Sequence, residues 1–481
     1  MVNVALPTFQ TVFASSADQP LAYSSVAWTV TAYTLALATV IPLTGWAADR
    51  FGTKRLYIVA VVLFTAGSVL CASASSIGML ISFRVLQGLG GGMLMPLGMT
   101  IMTRAAGPAR MGRLMAILGV PMLLGPILGP ILGGWLIENA SWHWIFLINV
   151  PIGLIATVYA FFALPKDSPA PSEALDVLGV VLMSPGLALF LYGISSIPGK
   201  GTMNDPKVYV PMAIGTGLMG LFVAHAFRPE HPLLDLRLFR NRNLTVATTT
   251  MFLFGAAFFG GLLLVPTYFQ QVRGESTLHA GLLVAPQGIG AMLTMPIAGA
   301  LSDRFPVGRI VPVGLLLIIV GMFSLTTITS TTSYTVLIAI LFVMGLGMGA
   351  TMMPIMTSAM KTLTSHEVAR GSTLLNIVQQ IASSVGVAVM SVLLTSHLKG
   401  SALALPAIGT WRDHGLISKI GGPAAVAKGL ADAAGAFAST YWVAAFMVTF
   451  TLVPALFLPR RHEESHLLDD VEPGAPPVLL H

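Results

Sequence analysis

GWAADRFGTKR, residues 45–55, is answered by GALSDRFPVGR, residues 299–309. Each closes an apolar stretch, opens on glycine and carries Asp-Arg-Phe four residues later, and the two copies stand 254 positions apart. Two further echoes follow in the same order. QGLGGGMLMP at 87–96 returns as MGLGMGATMMP at 344–354, with Gly88, Gly90 and Gly92 matched by Gly345, Gly347 and Gly349 at an offset of 257. Arg-Met-Gly at 110–112 resembles Ala-Arg-Gly at 369–371, each opening an apolar stretch. Three echoes at nearly constant spacing mark a duplicated unit, and a duplicated membrane bundle points to alternating access.

The chain has 481 residues, 55% of them hydrophobic and only 9% charged, with a mean hydropathy of +0.82. Such values exclude a soluble globule and make the lipid bilayer the first partner. Apolar stretches of about 20 residues predict full spans at 27–48, 56–75, 78–102, 112–137, 144–164, 176–197, 208–227, 244–271, 279–301, 310–329, 334–357, 371–397 and 438–458. With a partial stretch at 1–13 there are fourteen: six in an amino half (1–164), two in a middle segment with a cytoplasmic linker (165–243), and six in a carboxyl half (244–458). The expected fold is an all-α polytopic membrane protein. A long external loop is expected at about 398–437, and the acidic, Pro-rich tail at 459–481 reads as disordered and cytoplasmic.

Of the 25 Lys and Arg, seventeen fall on one side of the spans and seven on the other, with Arg84 inside a span. The richer side is cytoplasmic by the positive-inside rule, which puts both termini there. The net charge of +6 therefore reports topology and gives no reason to expect nucleic acid as a partner. The alternation works only if residues 1–13 also cross. Thirteen residues make about 20 Å of helix against a hydrocarbon core of about 30 Å, so the opening reads as the outer part of a first helix whose inner third precedes Met1. Cys71 is the single cysteine, which permits no intrachain disulfide and no cysteine metal cluster. Metal-spaced histidines, a Gly-Lys-Ser/Thr phosphate loop and a nucleophile elbow are all missing from the sequence, which disfavours ATP-driven transport and enzymatic chemistry.

GWAADRFGTKR after the second span, SFRVLQGLGGG in the fourth, GVPMLLGPILGPILGG in the fifth, the WHWIFLINVPIG that follows and VNVALP at the start together resemble the major facilitator superfamily, in its fourteen-span drug/proton antiporter branch. The resemblance covers nearly the whole chain. It implies two six-helix bundles with two helices between them, in the inner (plasma) membrane. It also implies efflux of hydrophobic, amphipathic or cationic small molecules in exchange for protons, with the proton gradient as energy source and no cofactor. A monomer is expected. A dedicated exporter of one metabolite, lipid or amino acid, and a non-transporting sensor or scaffold with the same fold, remain alternatives.

Asp49 and Asp303 lie at cytoplasmic helix ends beside Arg50 and Arg304. Singly, each reads as a helix-end charge before a turn at Gly52 or Gly308. As a repeat-related pair they suit a sharper role, since a carboxylate at the positive end of a helix stabilises one arrangement by about 0.3–2 kcal/mol. The resemblance assigns Gly45, Asp49, Arg50, Gly52, Asp303 and Arg304 to a cytoplasmic gate. It implies that Asp49 reaches the helix beginning near Gly371 and, by symmetry, that Asp303 reaches the one beginning near Gly112.

Burying Arg84 in a span costs at least about 2.5–3.5 kcal/mol. It either snorkels to the outer surface, about 9 Å away, or faces a polar interior. An offset of 257 sets Leu341 and Met344 against Arg84 and Gln87. Packing explains glycines that both halves keep, but not an arginine and glutamine that only one half has. Arg84 and Gln87 are therefore expected to face the central cavity, with Arg84 tuning the proton affinity of a nearby carboxylate. Tyr33, Asn376, Gln379 and Gln380 are further cavity candidates, 376 and 380 sharing a helix face. Asn149, Gln270, Gln271 and Gln287 read as interhelical hydrogen bonds.

In the fifth span Gly125, Gly129 and Gly133 recur every four residues and line one face, while Pro121, Pro126 and Pro130 remove backbone hydrogen bonds. With Gly119 they resemble the family's exporter signature. None of the 19 acidic residues falls at mid-membrane; Asp49, Glu138, Asp167, Asp176, Asp303 and the rest sit at span ends, in loops or in the tail. The resembling family carries an Asp shortly before the match to VNVALP, a position ahead of Met1. The proton carrier is expected there, the alternative being a protein that works without it.

Overall fold

The computed structural model describes residues 2–14, 21, 23–106, 113, 119, 125, 128–129, 131–167, 174–200, 204–361, 363–364, 367–411 and 416–461. Among them all regular structure is helical. The amino half contains α1 (Val2–Val12), α2 (Tyr23–Phe51), α3 (Thr53–Ala72), α4 (Ile77–Ala106) and α5 (Asn149–Ala163), the last preceded by the single turn Trp144–Leu147. The middle segment supplies α6 (Val177–Lys200) and α7 (Pro206–Ala226). The carboxyl half comprises α8 (Arg242–Gln271), α9 (Thr277–Arg304), α10 (Val307–Leu325), α11 (Tyr334–Lys361), α12 (Val368–Lys399) and α13 (Pro423–Ala455). Twelve stretches among the described residues are long and apolar enough to cross a bilayer, so the chain is a multi-pass membrane protein. The span expected at 112–137 lies largely outside the described residues; Gly119, Gly125, Leu128, Gly129 and 131–139 are helical.

The repeat is legible in the packing. In the amino half α4 packs on α2 and α3, and α3 on α5; in the carboxyl half α11 packs on α9 and α10, and α10 on α13. The matched glycines make these contacts possible. Gly88 and Gly92 lie against the main-chain carbonyls of Tyr33 and Leu37, where any side chain would collide. Gly345 and Gly349 lie against those of Gln287 and Ala291, each 254 positions on from its counterpart. Gly90 against Ala60 and Phe64 is likewise repeated by Gly347 against Gly314 and Ile318. Close backbone approach through small residues is how helices associate in lipid, where apolar surface alone gives no preference for protein over tails.

The middle helices pack on each other and flank the junction of the halves, α6 touching both α2 and α12. Their arginine-rich ends are tied by Asp176, whose carboxylate contacts His225 Nε2 at 2.8 Å and accepts from the backbone N–H of Gly179 and Leu233. Burial pushes the Asp176 carboxyl up, and these three bonds more than reverse that, leaving it below the ordinary carboxylate value.

The external loop expected at 398–437 is shorter than the sequence implied. Residues 423–437 belong to α13, a helix of 33 residues, or about 50 Å, which stands well clear of a 30 Å hydrocarbon core. Ala-rich sequence is strongly helical without being apolar enough to read as a span. The shortened loop folds back: the turn Ala404–Gly409 lies on α13 at Gly429, and Ser401 Oγ donates to Asp432 at 2.7 Å. Trp411 packs on Gly274, in the α8–α9 turn, and donates its indole N–H to Gln271 O at 3.0 Å. The tail residues from 462 onward lie outside the described residues.

Candidate functional site

Among the described residues, the two repeated aspartates both reach across between the halves on the arginine-rich face. Asp49, in the last turn of α2, approaches Arg370 in the first turn of α12, with Oδ2 at 3.7 Å from Nε. Asp303, at the end of α9, accepts from the backbone N–H of Arg113 at 3.2 Å. Arg113 and Arg370 are themselves 257 positions apart, so each aspartate meets the repeat-related helix of the opposite half, one through a side chain and the other through a main-chain amide. Gly45 makes the first crossing possible, since a Cβ there would stand 3.1–3.3 Å from Thr373, Arg370 and Ala369. Arg50 and Arg304, expected beside the aspartates, point outward and are exposed. Adjacent residues on a helix face different directions, so the guanidinium that meets Asp49 and the amide that meets Asp303 both come from across the interface.

The seam continues inward. Thr100 and Ser372 share a hydrogen bond of 2.9 Å, Ser372 Oγ also donates to Pro96 O, and Asn376 Nδ2 reaches Met99 Sδ at 3.1 Å. Ala369 completes an apolar cluster with Ala48, Leu56, Ala60, Met93 and Leu97 of the amino half. Asn376, expected to line a cavity, is therefore buried in the seam; Gln379 and Gln380, past the first turns of α12, stay half-buried. Gly119 also meets the opposite half, packed against Met295 and Met353. Of the other fifth-span glycines, Gly129 and Gly133 are buried, whereas Gly125 is exposed with open space around it. Four residues overshoot a helical turn by about 40°, so the two steps from Gly125 to Gly133 turn the row by about 80° and do not hold it on one face. Pro126 lies outside the described residues.

Arg84 does not snorkel. It is 6% exposed and Gln87 is 1% exposed, and both are held inside the amino half. Arg84 Nε donates to Thr29 O at 2.9 Å, Nη1 donates to Gln87 Oε1 at 2.6 Å, and the guanidinium lies 3.9 Å from the centre of the Tyr33 ring. Gln87 Nε2 donates to Ser68 Oγ at 2.6 Å, and Asn149 Nδ2 reaches the same oxygen at 3.3 Å. The expectation that this pair lines a cavity between the halves is corrected: its partners come from α2, α3 and α5. A planar guanidinium stacked on an aromatic face and bonded to two acceptors is how a buried arginine is accommodated. The arrangement links four helices of one half through a single cation. Ser68, Thr100, Ser372, Arg113 and Arg370 escape a sequence reading, since hydroxyls inside spans usually bond their own helix and loop arginines usually mark topology.

The comparisons with known proteins agree with this geometry. A profile of the Major Facilitator Superfamily matches residues 1–387. The chain is 47% identical to a "Multidrug resistance protein B homolog" of Mycobacterium tuberculosis, over 97% of this chain and 87% of the relative. It is 32% identical to a "Putative multidrug resistance protein MdtD" of Pectobacterium atrosepticum, over 82% and 83%. Among solved structures, the proton:xylose symporter XylE superposes with a TM-score of 0.57 at 15% identity, covering 97% of this chain and 94% of that one, a likeness of fold alone. With its repeated packing and its two crossings between duplicated halves, the chain belongs to the major facilitator superfamily.

Proposed function

We infer that the protein exports hydrophobic, amphipathic or cationic small molecules from the cell in exchange for protons, by alternating access in the inner membrane. The arginine-rich face is the cytoplasmic one. The observation that carries the reading is the pair of repeat-related crossings, Asp49 with Arg370 and Asp303 with Arg113. Contacts that tie the two halves together on the arginine-rich face are those a rocking mechanism must break to open that face. The names of the relatives, multidrug resistance proteins, support small-molecule substrates. The Arg84 network supplies a buried charge of the kind that marks coupling sites in membranes.

The test is efflux of ethidium from cells producing the protein. Export that stops when a protonophore collapses the gradient is the expected result. Export that persists without a gradient would remove proton coupling, and no export of varied cationic and neutral dyes by well-expressed protein would overturn the reading.

A further inference from the structure

Gly52 has a φ of +90°, which side-chain-bearing residues avoid, and a Cβ there would overlap the carboxylate of Asp167. Asp167 follows α5 on the arginine-rich face. Its two oxygens accept from the backbone N–H of Lys54 at 2.8 Å and of Arg55 at 3.0 Å, amides of the first turn of α3 that have no partner within the helix. The exchange is mutual. Lys54 Nζ donates to Leu164 O at 2.7 Å, at the carboxyl end of α5, and lies 5.6 Å from the centre of the Phe161 ring. An anion thus sits on the positive end of one helix and a cation on the negative end of the other.

The carboxyl half holds the equivalent amide without charge. Gly308, 254 positions after Lys54, donates its N–H to Pro459 O at 3.0 Å and lies against the backbone of Leu458 and Pro459. In both halves the segment after the sixth helix catches the same amide of the same turn. Only the amino half catches it with a carboxylate.

We propose that Asp167 is a positioning residue of the gate: by fixing the turn between α2 and α3 it holds Asp49 against Arg370 and biases the protein toward closure of the arginine-rich face. The consequence for efflux rests on the transport reading above; closure itself is measured without substrate. Cys71, the sole cysteine, is changed to Ser, and Leu97→Cys serves as reporter because Leu97 is buried beside Ala369 in the seam. Labelling by a membrane-impermeant maleimide in inside-out vesicles then reports opening, per molecule present in the membrane. Asp167→Asn is expected to raise the labelling rate about 2- to 30-fold, and Asp167→Glu to raise it less. Asp49→Asn is expected to match Asp167→Asn, and the two combined to add nothing, since both act through one contact. An unchanged rate in Asp167→Asn, additive effects in the double variant, or rapid labelling before either aspartate is changed would overturn the proposal. A protein that labels as expected yet exports nothing would instead remove the transport reading and leave this one standing.

Discussion

Ser68 and Gln87 in the amino half correspond, at offsets of 254 and 257, to Met322 and Met344 in the carboxyl half. The first pair is joined by a 2.6 Å hydrogen bond beneath Arg84; the second is buried in a continuous apolar core. Tyr33, which receives the guanidinium on its ring, corresponds to Gln287, whose Oε1 is buried and has no hydrogen-bond partner among the described residues. Around these positions the glycines and the carbonyls they touch are the same in both halves. The duplicated backbone geometry is thus separable from the chemistry placed in it. Helix crossings have been kept twice, while the charged network has been built once.

The largest expected effect comes from erasing that difference. Arg84→Leu removes the charged donor to Thr29 O and Gln87 Oε1, leaving Gln87 Oε1 with only the Cys71 Sγ contact at 3.8 Å, and should cost about 1–3 kcal/mol, with efflux lost. Adding Gln87→Met converts the pair to its carboxyl-half counterpart; thermal unfolding in detergent should return to within about 1 kcal/mol of the starting protein, while efflux stays absent. Normal efflux by the double variant would mean the one-sided network is only packing. Next come the two gate contacts. Asp49→Asn and Asp303→Asn should each remove about 0.3–2 kcal/mol of closure and slow ethidium export severalfold without lowering the amount of protein in the membrane. The loss should be larger at Asp49, which meets the guanidinium of Arg370 across the seam; equal losses would show that the helix end, and not the arginine, holds the carboxylate. The smallest effect is expected from Gln287→Leu, which removes a buried unpaired acceptor and should leave stability unchanged or raise it by about 1 kcal/mol. If it abolishes export of an otherwise stable protein, the carboxyl half also supplies a polar contact and the contrast between the halves falls.

Much of the architecture was legible in the sequence because membrane spans and repeats write themselves locally. Apolar stretches marked the helices, and the offsets of 254 and 257 already paired Gly88 with Gly345 and Asp49 with Asp303. The site was less legible, for a physical reason: its partners are chosen in space. Asp167 reads as one more loop charge until Lys54, 113 positions earlier, presents its amide. Asn376 has the look of a cavity residue, yet its amide lies against Met99 of the other half. The start of α13 was missed because its first turns are helical by propensity and too weakly apolar to stand out. Arg84 was singled out correctly as a buried cation, while its direction, into one half rather than between two, depends on Tyr33, Gln87 and Thr29 closing around it.

The folded-back loop on the opposite face has a mechanical meaning. Trp411 pins it to the α8–α9 turn, Ser401 ties it to α13, His397 of α12 bonds Thr440 of α13 at 3.0 Å, and Arg273 reaches across to Ser330 and Thr332 between α10 and α11. The outer ends of the carboxyl-half helices are therefore stapled into one plate. A plate transmits torque without bending. On the transport reading above, a rim that moves as one piece makes the carboxyl half a lever, and the seam about 30 Å below is the latch it releases.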